Sequence, residues 1–288
     1  MASLQEIRGK IGTVQNLQKL THAMEMVAQS KIRKVRDCMI AARPYGEIIR
    51  NVSAHMSHAH PEYKSPYLAV RENVRRIGLL LVTSDKGMCG ALNSNALRLA
   101  LGHMKGWAEN KIDLDVCALG AIGLSFMKRM NADIVSSSAV GLGDTPRMEQ
   151  LAGPSRKLLH AYREGRLDAV FICYTRFVNT ILHRPVMEQL LPLKGESLGS
   201  PSGYWDYIYE PDPKIIVDEM LRRYIESQIY LAVAENMASE QGARMVAMKA
   251  ASDNAGHVMD ELKQIYHKAR QTAITEEITE IIAGASAV

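Results

Sequence analysis

An α/β domain carried between two long helices is the architecture this sequence predicts, and three observations predict it. Apolar residues repeat at steps of three and four over both ends of the chain. The middle changes to short continuous apolar runs that alternate with helical stretches. The ends carry opposite charge: residues 1–43 hold 8 Lys/Arg against 3 Asp/Glu, a net of +5, and residues 211–288 hold 8 against 12, a net of −4. The expected fold class is α/β plus a long antiparallel coiled coil. Its two terminal helices pair as a rod, and a central Rossmann-like α/β domain lies between them in sequence.

The first helix reads from Leu4, Ile7, Ile11 and Val14 through Leu17, Leu20, Met24 and Val27, a single apolar stripe. It resumes through Val35, Met39, Ile48, Val52 and Met56, with Pro44 as a predicted kink and Pro61 and Pro66 as its end. About 55 helical residues span roughly 80 Å, far beyond the usual globular helix. Ile77–Val82 is a strand buried on both faces, followed by a helix over 91–108. Strand Leu114–Leu119, a helix over 121–130, a strand near Ile134–Val135, a helix over 147–164 and strand Ala169–Tyr174 continue the alternation. Val186–Leu193 reads as an edge strand, and 194–213 as a loop rich in Gly, Ser, Pro and Tyr. From Pro213 a helical pattern without Pro runs to the end, through Val258, Leu262, Ile265 and Ala269, then Ile274, Ile278 and Ile281. The expected divisions are 1–60 for the first helix, 74–193 for the α/β domain, 194–212 for a linker or foot loop, and 213–285 for the last helix.

Composition narrows the function classes. The 288 residues are 47% hydrophobic and 23% charged, as in ordinary soluble proteins, but aromatics are 6% against 16 Met, a balance that suits helix–helix contacts. The four cysteines show neither a C-x-x-C pair nor metal spacing and read as thiols in a reducing compartment. The opening residues carry charges and no apolar stretch, so no secretory signal is predicted. No run reaches the ~18 apolar residues of a membrane span, so membrane association is expected only through partners.

Four clusters carry chemistry on paper. The turn Ser84–Asn93 follows the first strand and opens a helix, the place of a phosphate loop, but it lacks both nucleotide-binding glycine patterns and reads as a structural turn. His55, His58 and His60 share a helix end without a completing Cys, and a solvated end is the plainer reading. Lys31, Arg33, Lys34 and Arg36 lack the interleaved aromatics of a nucleic-acid surface and suit a solvated face or an acidic protein partner. Glu276, Glu277 and Glu280 lie on a lone terminal helix with no pocket to raise a pKa. No catalytic, cofactor or metal residue is expected, and no nucleic acid.

Four separated blocks, in order, resemble the gamma subunit of the rotary F-type ATP synthase of bacteria. They are Glu6–Asn16 with Ala23–Lys31, the Ser84–Asn93 turn, Ala238–Met245, and the C-terminal Ile274–Ala287. Lys86, Met88 and Ala91 stand where Arg, Leu and Gly are commoner, and Gly9 and Gly12 lie inside the first helix, each costing about 1 kcal/mol relative to Ala. The resemblance implies a central-stalk rotor, one copy per complex, that couples transmembrane proton flow to ATP synthesis or hydrolysis elsewhere. It implies alpha and beta head subunits, an epsilon subunit and a membrane c-subunit ring as partners, at the cytoplasmic face of the inner membrane. Carried over for contact with the catalytic subunits are Met24, Arg244, Arg270, Gln271 and Thr275, and for the foot Tyr207 and Glu210. The rival reading from the residues is a nucleotide-binding α/β enzyme with helical dimerisation extensions.

Overall fold

A computed structural model describes residues 4–59, 65–71, 73–138, 148–193 and 213–286. They form helix α1 (Leu4–Ala59), strand β1 (Arg76–Val82), α2 (Leu92–Glu109), β2 (Asp113–Leu119), α3 (Ala121–Arg129), β3 (Asp133–Ser138), α4 (Met148–Arg163), β4 (Ala169–Phe177), β5 (His183–Leu191) and α5 (Pro213–Ser286). The helix α1 continues through Pro44. The chain divides into two compact units, Gln29–Ala243 and a second made of Met1–Ala28 with Arg244–Val288.

In the larger unit the strands lie in the order β3-β2-β1-β4-β5. Strands β1 to β4 are parallel, and β5 is an antiparallel edge beside β4. That edge begins at His183 rather than Val186 and tolerates Pro185, because an edge residue need not donate to a ladder. Central β1 is buried along Ile77–Val82, which is why it reads as a continuous apolar run. Its side chains still alternate. Leu79 and Leu81 face Leu97, Ala100 and Met127 of α2 and α3. Leu80 and Val82 face the larger cluster, to which α4 gives Leu158 and Tyr162, α5 gives Leu221, Ile225 and Ile229, and α1 gives Val35 and Ile49. Lys111, Asn131 and Gly165, all at positive φ, turn the chain after α2, α3 and α4.

The two long helices run antiparallel within this unit. Gly46 lies against Ser227, Arg50 acts on Tyr224, and Cys38 on Tyr230, so later residues of α1 meet earlier ones of α5.

In the smaller unit Gln18 Nε2 donates to Ser252 O at 3.4 Å, and Gly256 leaves room for the same side chain. Less exposed positions of α1 include Leu4, Ile7, Ile11, Val14, Gln18, Thr21, Glu25 and Ala28, with Gly12 and Met24 beside them; those of α5 include Met248, Ser252, Ala255, Met259, Leu262, Tyr266, Ala269 and Ala273, with Ala251 and Gly256 beside them. Both sets step alternately by three and four, the heptad of a coiled coil. This corrects the apolar stripe expected from sequence. After Val14 the seam passes to Gln18 and Thr21, leaving Leu17 and Leu20 51% and 52% exposed. Val27, Val258 and Ile265 face outward as well. Small and polar side chains on a seam let two backbones approach closely, and the bulky apolar ones are displaced to the flanks.

Candidate partner-binding surface

The C-terminal ends of β1 and β2 are where an open α/β sheet usually takes a ligand. Here they are filled by the chain itself. Ser84 N donates to Asn93 Oδ1 at 3.1 Å, and Asn93 Nδ2 donates to Ser84 Oγ at 2.6 Å and to Cys89 Sγ at 3.3 Å. Met88 and Gly90 both take positive φ to complete this turn. It then reaches across to α3. Ala121 N donates to Asp85 Oδ1 at 3.1 Å, Ile122 N to Ser84 O at 3.3 Å, and Gly123 N to Thr83 Oγ1 at 2.9 Å. The first-turn N–H groups of α3 are therefore used within the chain. Thus the turn caps a helix.

At the other side of β1 the parallel strands diverge, because β4 outlasts β1: the last paired residues are Leu81 and Cys173. Two residues on, Thr175 N donates to Asn236 Oδ1 at 3.1 Å and Ser239 Oγ donates to Thr175 O at 3.1 Å. Helix α5 therefore closes the switch point of the sheet. Gly242 follows one turn later, where an added Cβ would meet His183 Cε1 at 2.8 Å and Thr180 O at 3.0 Å. These contacts account for three small or polar positions in the stretch Asn236–Gly242. Sequence reading singled out Ala238–Met245, which holds Ser239 and Gly242 but not Asn236, without finding their partners, since strand overhang leaves no mark in periodicity.

Five of the residues singled out in the sequence fall in the smaller unit. Met24 and Arg244 are half-buried, while Arg270, Gln271 and Thr275 are exposed. Thr275 Oγ1 donates to Gln271 O at 2.8 Å, one turn back along α5, and so is held against its own helix. Around them the outward apolar residues continue with Met26 on α1 and Ile274, Ile278, Ile281 and Ile282 on α5; Ile281 is 66% exposed. A surface this apolar, on helices whose own seam is already made, marks a protein–protein contact. Tyr207, Glu210 and His60 lie outside the described residues, as do the side chains of His55 and His58. Arg33, Lys34 and Arg36 are exposed around buried Val35. Among the described residues no group of three His, Cys, Asp or Glu is placed to hold a metal, and no helix is long and apolar enough to cross a membrane.

An α/β sheet whose switch point is closed by the chain's own helix, with long terminal helices that carry outward apolar residues, defines a class: an α/β protein with long terminal helices. Comparison with known proteins places it more closely. The family model described as ATP synthase matches residues 3–288. The ATP synthase gamma chain of Aromatoleum aromaticum is 57% identical over 290 residues, and that of Thiobacillus denitrificans 56% over 291, each covering the whole of both chains. Among solved structures, a central-stalk chain of the Tetrahymena thermophila mitochondrial ATP synthase is 25% identical, covers 81% of this chain and 99% of its own, and has a TM-score of 0.62. A chain of the Euglena gracilis mitochondrial ATP synthase shares the fold at 18% identity, TM-score 0.68, covering 99% of this chain and 94% of its own. The chain belongs to the ATP synthase gamma chain family, the central-stalk subunits of F-type ATP synthases.

Proposed function

We propose that this chain is the non-catalytic rotor that couples proton flow through a membrane c-subunit ring to ATP synthesis or hydrolysis in the alpha and beta subunits. One copy serves each complex, an epsilon subunit binds beside the foot, and the complex sits at the cytoplasmic face of the inner membrane. The observation that carries this reading is the apolar outer face of the long helices. Gln18, Thr21, Ser252 and Ala255 are turned inward while Leu17, Leu20, Ile278 and Ile281 are turned outward. A helical pair that shows further apolar residues on its outside is suited to turning inside a collar of other subunits. An asymmetric pair in such a collar touches each catalytic subunit differently, and the unequal contacts bias their nucleotide states. Met24, Arg244, Arg270, Gln271 and Thr275 make those contacts, while Tyr207 and Glu210 serve the foot. In this reading 1–60 and 213–285 are the stalk helices, 74–193 the α/β domain and 194–212 the foot loop.

The test is a Gln271→Cys chain assembled into membranes with a thiol-directed photo-crosslinker attached. The expected product joins it to a catalytic subunit. Products formed only between two copies of this chain would show a homo-oligomer and overturn the reading.

A further inference from the structure

We infer that Asn236, Ser239 and Gly242 form a rotational clamp that fixes the azimuth of α5 on the α/β body. It is the point at which the body grips the stalk helix. The inference rests on the rotor reading and adds to it the residues that carry torque between body and helix.

The argument starts from the overhang of β4. Past Cys173 this strand has lost its β1 neighbour, and the N–H and C=O of Thr175, two residues on, point to that vacated side. The buried amide and carbonyl of Thr175 must find partners elsewhere, and the side chains of Asn236 and Ser239 supply both. Two helix side chains thus stand where a longer β1 would continue. Asn236 is held through its oxygen alone, for its Nδ2 has no hydrogen-bond partner among the described residues. One turn on, Gly242 brings the helix backbone down onto the β4–β5 hairpin at Thr180 and His183.

Geometry makes this a clamp against rotation. Positions 236, 239 and 242 advance by three residues each and so spread over about 120° of the helix circumference along about 9 Å of its axis. Turning α5 in either direction about its axis pulls at least one of the three away from the sheet. The apolar contacts elsewhere on α5, such as Leu221, Ile225 and Ile229, are non-directional and slide at smaller cost. Hydrogen bonds to a buried strand backbone have one good geometry, and breaking them leaves Thr175 unsatisfied.

The experiment uses the assembled complex with the head immobilised and an optical marker on Lys111→Cys, an exposed residue of the α/β body. The readout is the angular spread of the marker at each pause during ATP-driven rotation. An Asn236→Ala/Ser239→Ala chain should widen that spread and lower protons pumped per ATP by roughly twofold, the lower range for residues remote from both sites. Val116→Ala, in the core beneath α2 and α3, lowers stability without touching the clamp and should leave both readouts at the unmodified values. Should the double variant fail to assemble, Ser239→Ala alone is expected to show the same widening to a smaller degree. An unchanged spread in the clamp variants, or equal widening by Val116→Ala, overturns the clamp. Failure of the unmodified complex to rotate would instead remove the rotor reading itself.

Discussion

Arg71 and Asp168 tie the segment before β1 to the start of β4, with Arg71 Nη1 lying 3.1 Å from Asp168 Oδ1. The other carboxylate oxygen accepts from the N–H of Arg75 at 2.8 Å and of Arg76 at 3.0 Å. Burial pushes this carboxyl up, but the two N–H groups and the guanidinium outweigh it and hold it below the usual Asp range. The stability it contributes is therefore complete above the ordinary carboxylate pKa and is lost as pH falls through that value towards the folded one. Asp168→Asn should lower the unfolding free energy of the purified chain at pH 7 by about 2 kcal/mol. In urea titrations the gap between the two proteins should close below about pH 4.

Two glycines should respond oppositely to Ala. Gly120 has φ 101° and a Cβ there would stand 2.3 Å from Thr83 O, so Gly120→Ala should destabilise by about 3 kcal/mol or more. Gly9 has nothing within 4 Å and sits inside α1, so Gly9→Ala should stabilise that helix by about 0.5–1 kcal/mol. Thermal unfolding followed by circular dichroism distinguishes the two signs.

The purified chain should show no saturable binding of ATP with magnesium in calorimetry. The N–H groups of Ala121, Ile122 and Gly123 at the start of α3 are occupied by Asp85, Ser84 and Thr83, and the turn before α2 lacks the glycine pattern of a phosphate loop. A micromolar isotherm, abolished by Gly120→Ala, would locate a site in this turn after all.

Met24 is half-buried among exposed apolar neighbours, and its flexible thioether suits a surface that meets changing partners. Met24→Lys adds a cation that can pair with an acidic group of the surrounding subunits, and even a partly exposed pair is worth about 0.2–1 kcal/mol. One rotational position should deepen relative to the others. Membrane vesicles should then pump fewer protons per ATP while hydrolysis stays near normal; an unaltered ratio would remove Met24 from the coupling contacts.

The succession of strands and helices and the extent of the helices were legible in the chain because burial there follows hydrophobicity. Leu79–Val82 is apolar throughout and lies at the sheet centre. The seam between the long helices was legible at Leu4–Val14, Leu262 and Ala269 but not between them, since the less exposed positions Gln18, Thr21, Ser252 and Ala255 are polar or small. A hydrophobic pattern marks apolar residues without saying which face they take, and Leu17, Leu20 and Ile265 read as seam residues for that reason. The grip of Asn236 and Ser239 on Thr175 was hidden too, because nothing local in either segment announces that β4 outlasts β1.

The outward isoleucines Ile274, Ile278, Ile281 and Ile282 bear on how a cell must make this chain. An unassembled copy presents them to solvent at one end of a helix, as an adhesive patch and as a degradation signal. Synthesis of this chain in excess of its companions should thus yield aggregates or proteolysis rather than a reserve of spare subunits. The supply of completed complexes then sets how much of it persists.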